Sequence, residues 1–529
     1  MWDTMARRAL LSAALSLLAG CAAASTVDAG EDSAVDAGWD GGPWRSALYP
    51  ADWTPGWTDD AGRFLHDFSY AGYAHGEREP RLPVGLEVRV EADGGDQTAD
   101  IQAALDQVGA ADGGVVQLGP GVFRVDGRLV VTRSRVVLRG AGAGVTFVVF
   151  TKSSGLDYAE HLRFGGGHAL VGDWPLAEDG QRRAFTVRLA ASDAGTLAAG
   201  DEVAVGHVIT DAYVEAHGMT GFWTAFNGTW QPFAWRTVVA VAPDGTVTLD
   251  VPLRADELVR DGASLKRVVG LVREVGLEDL SLTNAVDPGA AYASSQVHAV
   301  SLSGVIDGWV RRVSSFSADG GAHLQSGGVL VHQSSRVTVD DVHLARAQHR
   351  GGGGNGYLFE VRQSSEVLFR DDTGAEGRHN FIQNWGFGTS GCVWLRVVSA
   401  GGFATAAPGG TQGGVGYSEF HHSLATANLI DSSRFDDGFS IVNRRTESTG
   451  AGHTGTENVF WNVSGAGLLR SMQWRWGYVI GTDGLEVALD EVFIADGTRP
   501  LDWAEGLDAG ALLEPRSLYE DQRRRRLGP

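Results

Sequence analysis

The chain has 529 residues, of which 43% are hydrophobic and 74 are glycine; glycine is about twice as common as in an average globular protein, with no collagen-like period. The formal charge of −22 repels polyanions at long range and argues against a nucleic-acid partner. An acidic glycan remains allowed, because a local arginine cluster outweighs the global field within a Debye length of about 8 Å.

The first segment is a targeting signal. Arg7 and Arg8 precede an apolar run, Ala9 to Leu18, that is too short to span a bilayer, so residues 1–20 read as a signal peptide. Leu18-Ala-Gly-Cys21 resembles a bacterial lipobox. The resemblance implies cleavage before Cys21 and lipidation of its thiol. With Ala22 next in the chain, it implies a lipoprotein exported to, and lipid-anchored at, the bacterial outer membrane. Residues 21–50 are mostly Ala, Ser, Asp and Gly and read as an acidic, disordered tether.

Residues 51–183 hold a lead-in, a helix and the first strands. Ile101, Ala104, Leu105 and Val108 fall on one helical face, with Asp96 and Thr98 as candidate caps. After Gly113-Gly114 the period changes. Short apolar runs (Val115–Leu118, Val122–Val125, Leu129–Val131, Val136–Leu138) alternate with Gly, Pro, Asp and Ser turns. A single helix capping a ladder of short strands suits the blunt end of a β-solenoid rather than a sandwich. The strings D-x-T-x-x-I-Q-x-A-L, G-G-V-V-x-L-x-P-G-x-F-x-V and V-V-L-R-G-A-G, with the lead-in Asp67–Tyr73, resemble the opening of the pectate-lyase superfamily. That resemblance implies an all-β, right-handed parallel β-helix with an N-terminal capping helix. It leaves the reaction open, since lyases, glycoside hydrolases, epimerases and tailspikes share the opening.

Residues 184–266 interrupt the solenoid. Alternating strands with Ala-Gly-Asp and Pro-Asp-Gly turns predict a small inserted antiparallel β subdomain. Trp223, Trp230 and Trp235 within it read either as a satellite core or as aromatic platforms beside a sugar cleft. From 267 to 510 the solenoid resumes. Apolar runs start at Val272, Trp309, Arg336, Glu366, Cys392, Asn428 and Asn458, roughly 26–37 residues apart. Cys392 sits in an apolar run and reads as a buried small residue. The last stretch, 511–529, contains Arg523–Arg526 and reads as a solvated basic tail.

Candidate chemistry gathers between 343 and 478, where the gaps between runs are long. Glu376-Gly-Arg378-His379, Glu419-Phe-His421-His422 and Asn443-Arg444-Arg445…Glu447…His453 lie one to two coils apart, so stacking at about 4.8 Å per coil lets them share one groove. His379, His421, His422 and His453 are candidate bases or acids, with His453 preferred for its glycine-flanked loop. Arg378, Arg444 and Arg445 are candidate carboxylate clamps, because only Lys152 and Lys266 supply lysine and arginine binds carboxylates bidentately. Asn443, Glu447, Trp385 and the three insert tryptophans are candidate substrate contacts. A histidine–arginine cluster, together with the resemblance to a superfamily that hosts many lyases, points first to a polysaccharide lyase acting on a uronate-containing glycan by β-elimination. A glycoside hydrolase would draw on Asp431, Asp436, Asp437, Glu447 and Glu457. A non-catalytic glycan-binding solenoid is the third reading. Asp371-Asp372 and Asp436-Asp437 are candidate Ca²⁺ ligands, and no other cofactor is indicated.

Overall fold

A computed structural model describes residues 42–490 and 500–528. Cys21, the signal peptide and most of the tether lie outside them.

The helix forms over Thr98–Ala110 and buries Ile101, Ala104, Leu105 and Val108. Asp96 accepts the Thr98 amide at 3.0 Å, which starts the helix without a helical N-cap side chain. The helix lies on the strands Leu86–Val90, Gly114–Leu118 and Val136–Arg139, which pair parallel to one another. It therefore closes the first coil and hides what would be an open apolar end.

Beyond that cap the chain winds as a parallel β-helix. One long sheet stacks strands such as Gly276–Thr283, Trp309–Ser315, Thr338–Ala345 and Val459–Ser464. A second stacks ten strands, from Leu129–Val131 through His298–Ser303, Tyr357–Arg362, His379–Gln383 and Ser418–Phe420 to Glu486–Ala488. Between them runs a narrow third face of short parallel contacts, including Ser335, Ser365, Ser390 and Thr426. Like residues stack in the interior. Leu277, Val310 and Val339 share one ladder, and Val300, Val329, Phe359 and Phe381 share another. The Phe359 and Phe381 rings are parallel within 8° at 4.7 Å. Cys392 is fully buried here, and burial raises its thiol far above the usual range, so it is an inert core residue.

The insert is a six-stranded antiparallel sheet running from Ala169 to Val269, wider than the sequence periodicity indicated. It leaves the coil after Glu160–Phe164 and returns at Val272–Arg273, so it folds down along the later coils. Its seam is polar and buried. Arg254 and Arg236 both reach Glu366, at 3.0 and 3.4 Å. Trp235 Nε1 donates to the Gln363 carbonyl, and Trp223 Nε1 to that of Ala451.

Both chain ends correct the sequence reading. Trp44 pairs with Leu513, and Leu48 and Tyr49 are buried, so residues 44–50 are packed rather than tethering. The basic stretch near the C-terminus is a helix, Leu518–Leu527, capped by Ser517. Arg526 donates to Ser69 and His75, and Arg525 to the Ala51 and Trp53 carbonyls. The arginines work because the lead-in and this helix together cover the outer, apolar side of the long sheet, where Leu368, Leu395 and Trp461 would otherwise face water.

Asp431 is fully buried under that helix and accepts from Ser517 Oγ and the Tyr519 amide, both at 2.8 Å. Burial pushes it up to about 7, against the pull of those donors. A carboxyl raised in the folded state stabilises below its unfolded pKa and loses that contribution as pH rises through the folded value. The Asp431→Asn variant should therefore lose less melting temperature than the native chain between pH 4 and 7. Equal slopes in thermal melts across that window would refute the assignment.

Candidate active site on the second sheet

Outward-facing positions of the second sheet form one row: Ser301, Leu330, Glu360, Ile382, Glu419, Ser440 and Arg470 are in register across successive coils. Two carboxylates thus stand in one row two coils apart. Both are buried, and both are satisfied by histidine and arginine. Glu360 receives His298 Nε2 and Asn384 Nδ2, each at 2.8 Å, and Arg362 Nε at 2.5 Å.

The second carboxylate centres the candidate site. Glu419 lies mid-strand in Ser418–Phe420, and His421 leaves that strand's end. His421 Nδ1 binds Glu419 Oε1, Arg444 Nη1 reaches Oε2 at 3.0 Å, and His379 Nε2 stands 3.4 Å from Oε1. His379 opens the strand one coil earlier, and Arg444 follows the strand one coil later, so winding alone gathers groups distant in sequence. The loop after Arg444 turns back at Glu447–Gly450 and sets Ser448 Oγ 3.1 Å from both His421 Nε2 and Arg444 Nη2.

The partners fix the proton positions. His379 Nδ1–H donates to the Tyr417 carbonyl at 2.5 Å, so its Nε2 carries the lone pair; that nitrogen is buried and has no hydrogen-bond partner. His421 donates from Nδ1 to the carboxylate and leaves Nε2 as an acceptor. Burial pushes His379 down to about 3, Arg378 and His421 adding to it against Glu419. Burial also lowers His421, again against Glu419. Burial works to raise Glu419, but Arg444 and the two histidines outweigh it and hold the carboxyl well below its usual range. At neutral pH the site is therefore two neutral imidazoles around an ionised carboxylate and a guanidinium.

The same three side chains, His379, Glu419 and His421, offer ligand atoms within 4.8 Å of one another, a spacing a metal ion could use. Arg444 on the other Glu419 oxygen opposes a second cation there.

Other predicted residues border the cluster or fall away from it. Arg378 is half-buried, anchored on the Gly351 carbonyl, and its charge acts on both histidines. His422 flanks the site, its ring 4.5 Å from that of Trp385, which is 43% exposed and is the aromatic surface next to the cluster. Glu447 is exposed on the returning loop, and Asn443 caps the Arg445 amide. His453 does not join the cluster. Its amide meets the Met219 sulfur, its Nδ1 makes no hydrogen bond, and Met219 and Trp223 of the insert pack on Gly452 of its loop. The glycine-flanked loop that favoured His453 as base serves insert packing. Trp223 and Trp235 are buried in the insert seam, and Trp230 is half-buried against Lys266, so these three are not sugar platforms.

The candidate carboxylate pairs are dispersed too. Asp431 lies beneath the C-terminal helix, Glu457 meets His66 and Arg182, and Asp437 is held by Asn380, Ser399 and the Gly402 amide. In both Asp-Asp pairs one member is buried and one is turned to an arginine, Asp371 to Arg396 and Asp436 to Arg434. Strand alternation separates neighbours in this way, so neither pair converges on one ion. Sequence reasoning gave Glu419 and Ser448 no role. Nothing in the spacing of Arg-Arg-Thr-Glu-Ser-Thr-Gly shows that the loop doubles back over the preceding coil.

The chain matches no family model and no curated protein. Among solved structures it is similar to the tailspike gp61 of Pseudomonas phage phi297, at 13% identity over 78% of this chain and 73% of that one, TM-score 0.34. It is also similar to the mannuronan C-5 epimerase AlgE6 A-module of Azotobacter vinelandii, at 12% identity over 78% and 95%, TM-score 0.32. A third is the DFA-IIIase of Arthrobacter chlorophenolicus A6, at 11% identity over 81% and 92%, TM-score 0.31. Matches this distant leave the reaction to be read from the side chains.

Proposed function

We propose that the chain is a carbohydrate-active enzyme that cleaves an acidic, uronate-containing polysaccharide by β-elimination along the second sheet. The supporting observation is His379: a neutral imidazole whose Nε2 makes no hydrogen bond and stands 3.4 Å from the Glu419 carboxylate, with Arg444 on that carboxylate's other oxygen and Arg378 acting on the ring. In this reading an arginine neutralises the uronate carboxylate, which makes the C5 proton acidic. His379 Nε2 takes that proton, the C4–C5 double bond forms, and the C4 glycosidic oxygen leaves with a proton from water, whose hydroxide then takes the proton back from His379. Trp385 offers an apolar face for a neighbouring sugar ring. Incubation with a panel of uronate polymers tests the reading. New absorbance in the unsaturated-uronate band supports it. Reducing ends without absorbance, or retention on polymer without products, overturn it in favour of a hydrolase or a binding solenoid.

The reading includes lipid anchorage through Cys21 at the bacterial outer membrane, so that the solenoid meets extracellular polymer. A clickable fatty acid should label the native chain, and equal labelling of Cys21→Ser would refute the anchor.

A further inference from the structure

We propose that Ser448, His421 and Glu419 form a second, acyl-transferring centre that removes acyl esters, such as acetyl groups, from sugar hydroxyls. The inference rests on the proposed function only for the class of polymer. The chemistry stands on a separate observation, the seating of Ser448 on His421.

The three groups occupy the positions of nucleophile, base and orienter. Ser448 Oγ lies 3.1 Å from His421 Nε2, and His421 Nδ1 binds the Glu419 carboxylate. Arg444 Nη2 donates to the same Ser448 oxygen at 3.1 Å, so the serine O–H is left to point at His421. Glu419 and His421 are buried, whereas Ser448 is partly exposed; the relay lies beneath and the nucleophile stands at the rim.

The backbone presents the serine deliberately. Ser448 has φ 52° and ψ 46°, and Thr449 φ 65° and ψ 38°. Left-handed conformations are strained for a non-glycine residue, so surrounding contacts must hold them. Gly450 and Ala451 donate back to Thr446 and Glu447, and the Trp223 amide and indole tie the Gly450 and Ala451 carbonyls to the insert. The insert thereby fixes the loop that carries Ser448.

The step balances within the site. Ser448 Oγ attacks the ester carbonyl while its proton passes to His421 Nε2. The oxyanion forms beside the Arg444 guanidinium, whose buried Nε has no hydrogen-bond partner. The C–O bond to the sugar breaks, and the sugar oxygen takes the proton from His421. Water then attacks the acyl-serine with His421 as base again and releases the carboxylic acid. Acyl removal and chain cleavage would act on one polymer, an acylated uronate glycan, from adjacent groups.

The test uses the full chain with a fluorophosphonate probe, peptide mapping by mass spectrometry, and p-nitrophenyl acetate hydrolysis. Stoichiometric labelling of Ser448 is expected. His421→Gln and Ser448→Ala should each lower ester hydrolysis by roughly two to four orders of magnitude. Neither probe nor ester contains a uronate, so a failed lyase reading leaves this result intact. The proposal is overturned if folded native chain hydrolyses no ester and takes no label, or if label falls elsewhere. It is also overturned if ester hydrolysis survives Ser448→Ala, or needs an added divalent metal that chelation removes, which would assign His379, Glu419 and His421 to a metal instead.

Discussion

His379→Asn should lower kcat on the cleaved uronate polymer by roughly two to four orders of magnitude, the range of a lost general base, with the melting temperature nearly unchanged. The asparagine amide overlays the place of Nδ1 and can still donate toward the Tyr417 carbonyl that now holds Nδ1 at 2.5 Å. What it lacks is a basic nitrogen at the place of Nε2. The pH profile gives a second readout. Burial, reinforced by Arg378, pushes His379 down to about 3, so the base stays deprotonated through the range where an exposed imidazole protonates. The acid limb of kcat should then fall below about pH 5. Steady-state kinetics across pH check both statements. A variant with native kcat, or a native limb near pH 6.5, would remove His379 from the role.

The solenoid was legible because its signals are local and repeated. The capping helix announces itself in Ile101, Ala104, Leu105 and Val108, all buried, and the coils in apolar runs such as those at Trp309 and Cys392. The convergence of Arg378, His379, His421 and Arg444 was legible for the same reason, since each coil returns the chain to the same face. His453 shows the limit. It closes the same loop that carries Arg444, bridging back to Asn443, but which side of a loop faces the groove depends on the insert, and Met219 and Trp223 claim that side. The C-terminal arginines mislead in a related way. A run of four charges reads as solvated until the irregular lead-in supplies the carbonyls of Ala51, Trp53, Ser69 and His75. Ser448 is the hardest case, because its position rests on left-handed backbone that no residue type in that loop demands.

Val310→Asp should abolish soluble expression, whereas Val122→Asp should express and melt like the native chain. Val310 is fully buried and sits between Leu277 and Val339 on a ladder whose neighbours are all apolar. No donor among them could satisfy a carboxylate, so the side chain must be buried charged or take up a proton at a pH far above its ordinary range. Either cost is several kcal/mol, a large part of the roughly 5–15 kcal/mol that holds a typical domain. The architecture magnifies it, because each coil is stabilised mainly by the coils above and below, and a defect at Val310 undoes two interfaces at once. Val122 lies in a strand of the same fold but points outward and is 54% exposed, so the same new charge there is solvated. Val337, also fully buried, should behave like Val310. Parallel expression trials and thermal melts of the three variants decide the matter: a folded Val310→Asp protein with native melting would mean that the register placing Val310 inside the coil is wrong.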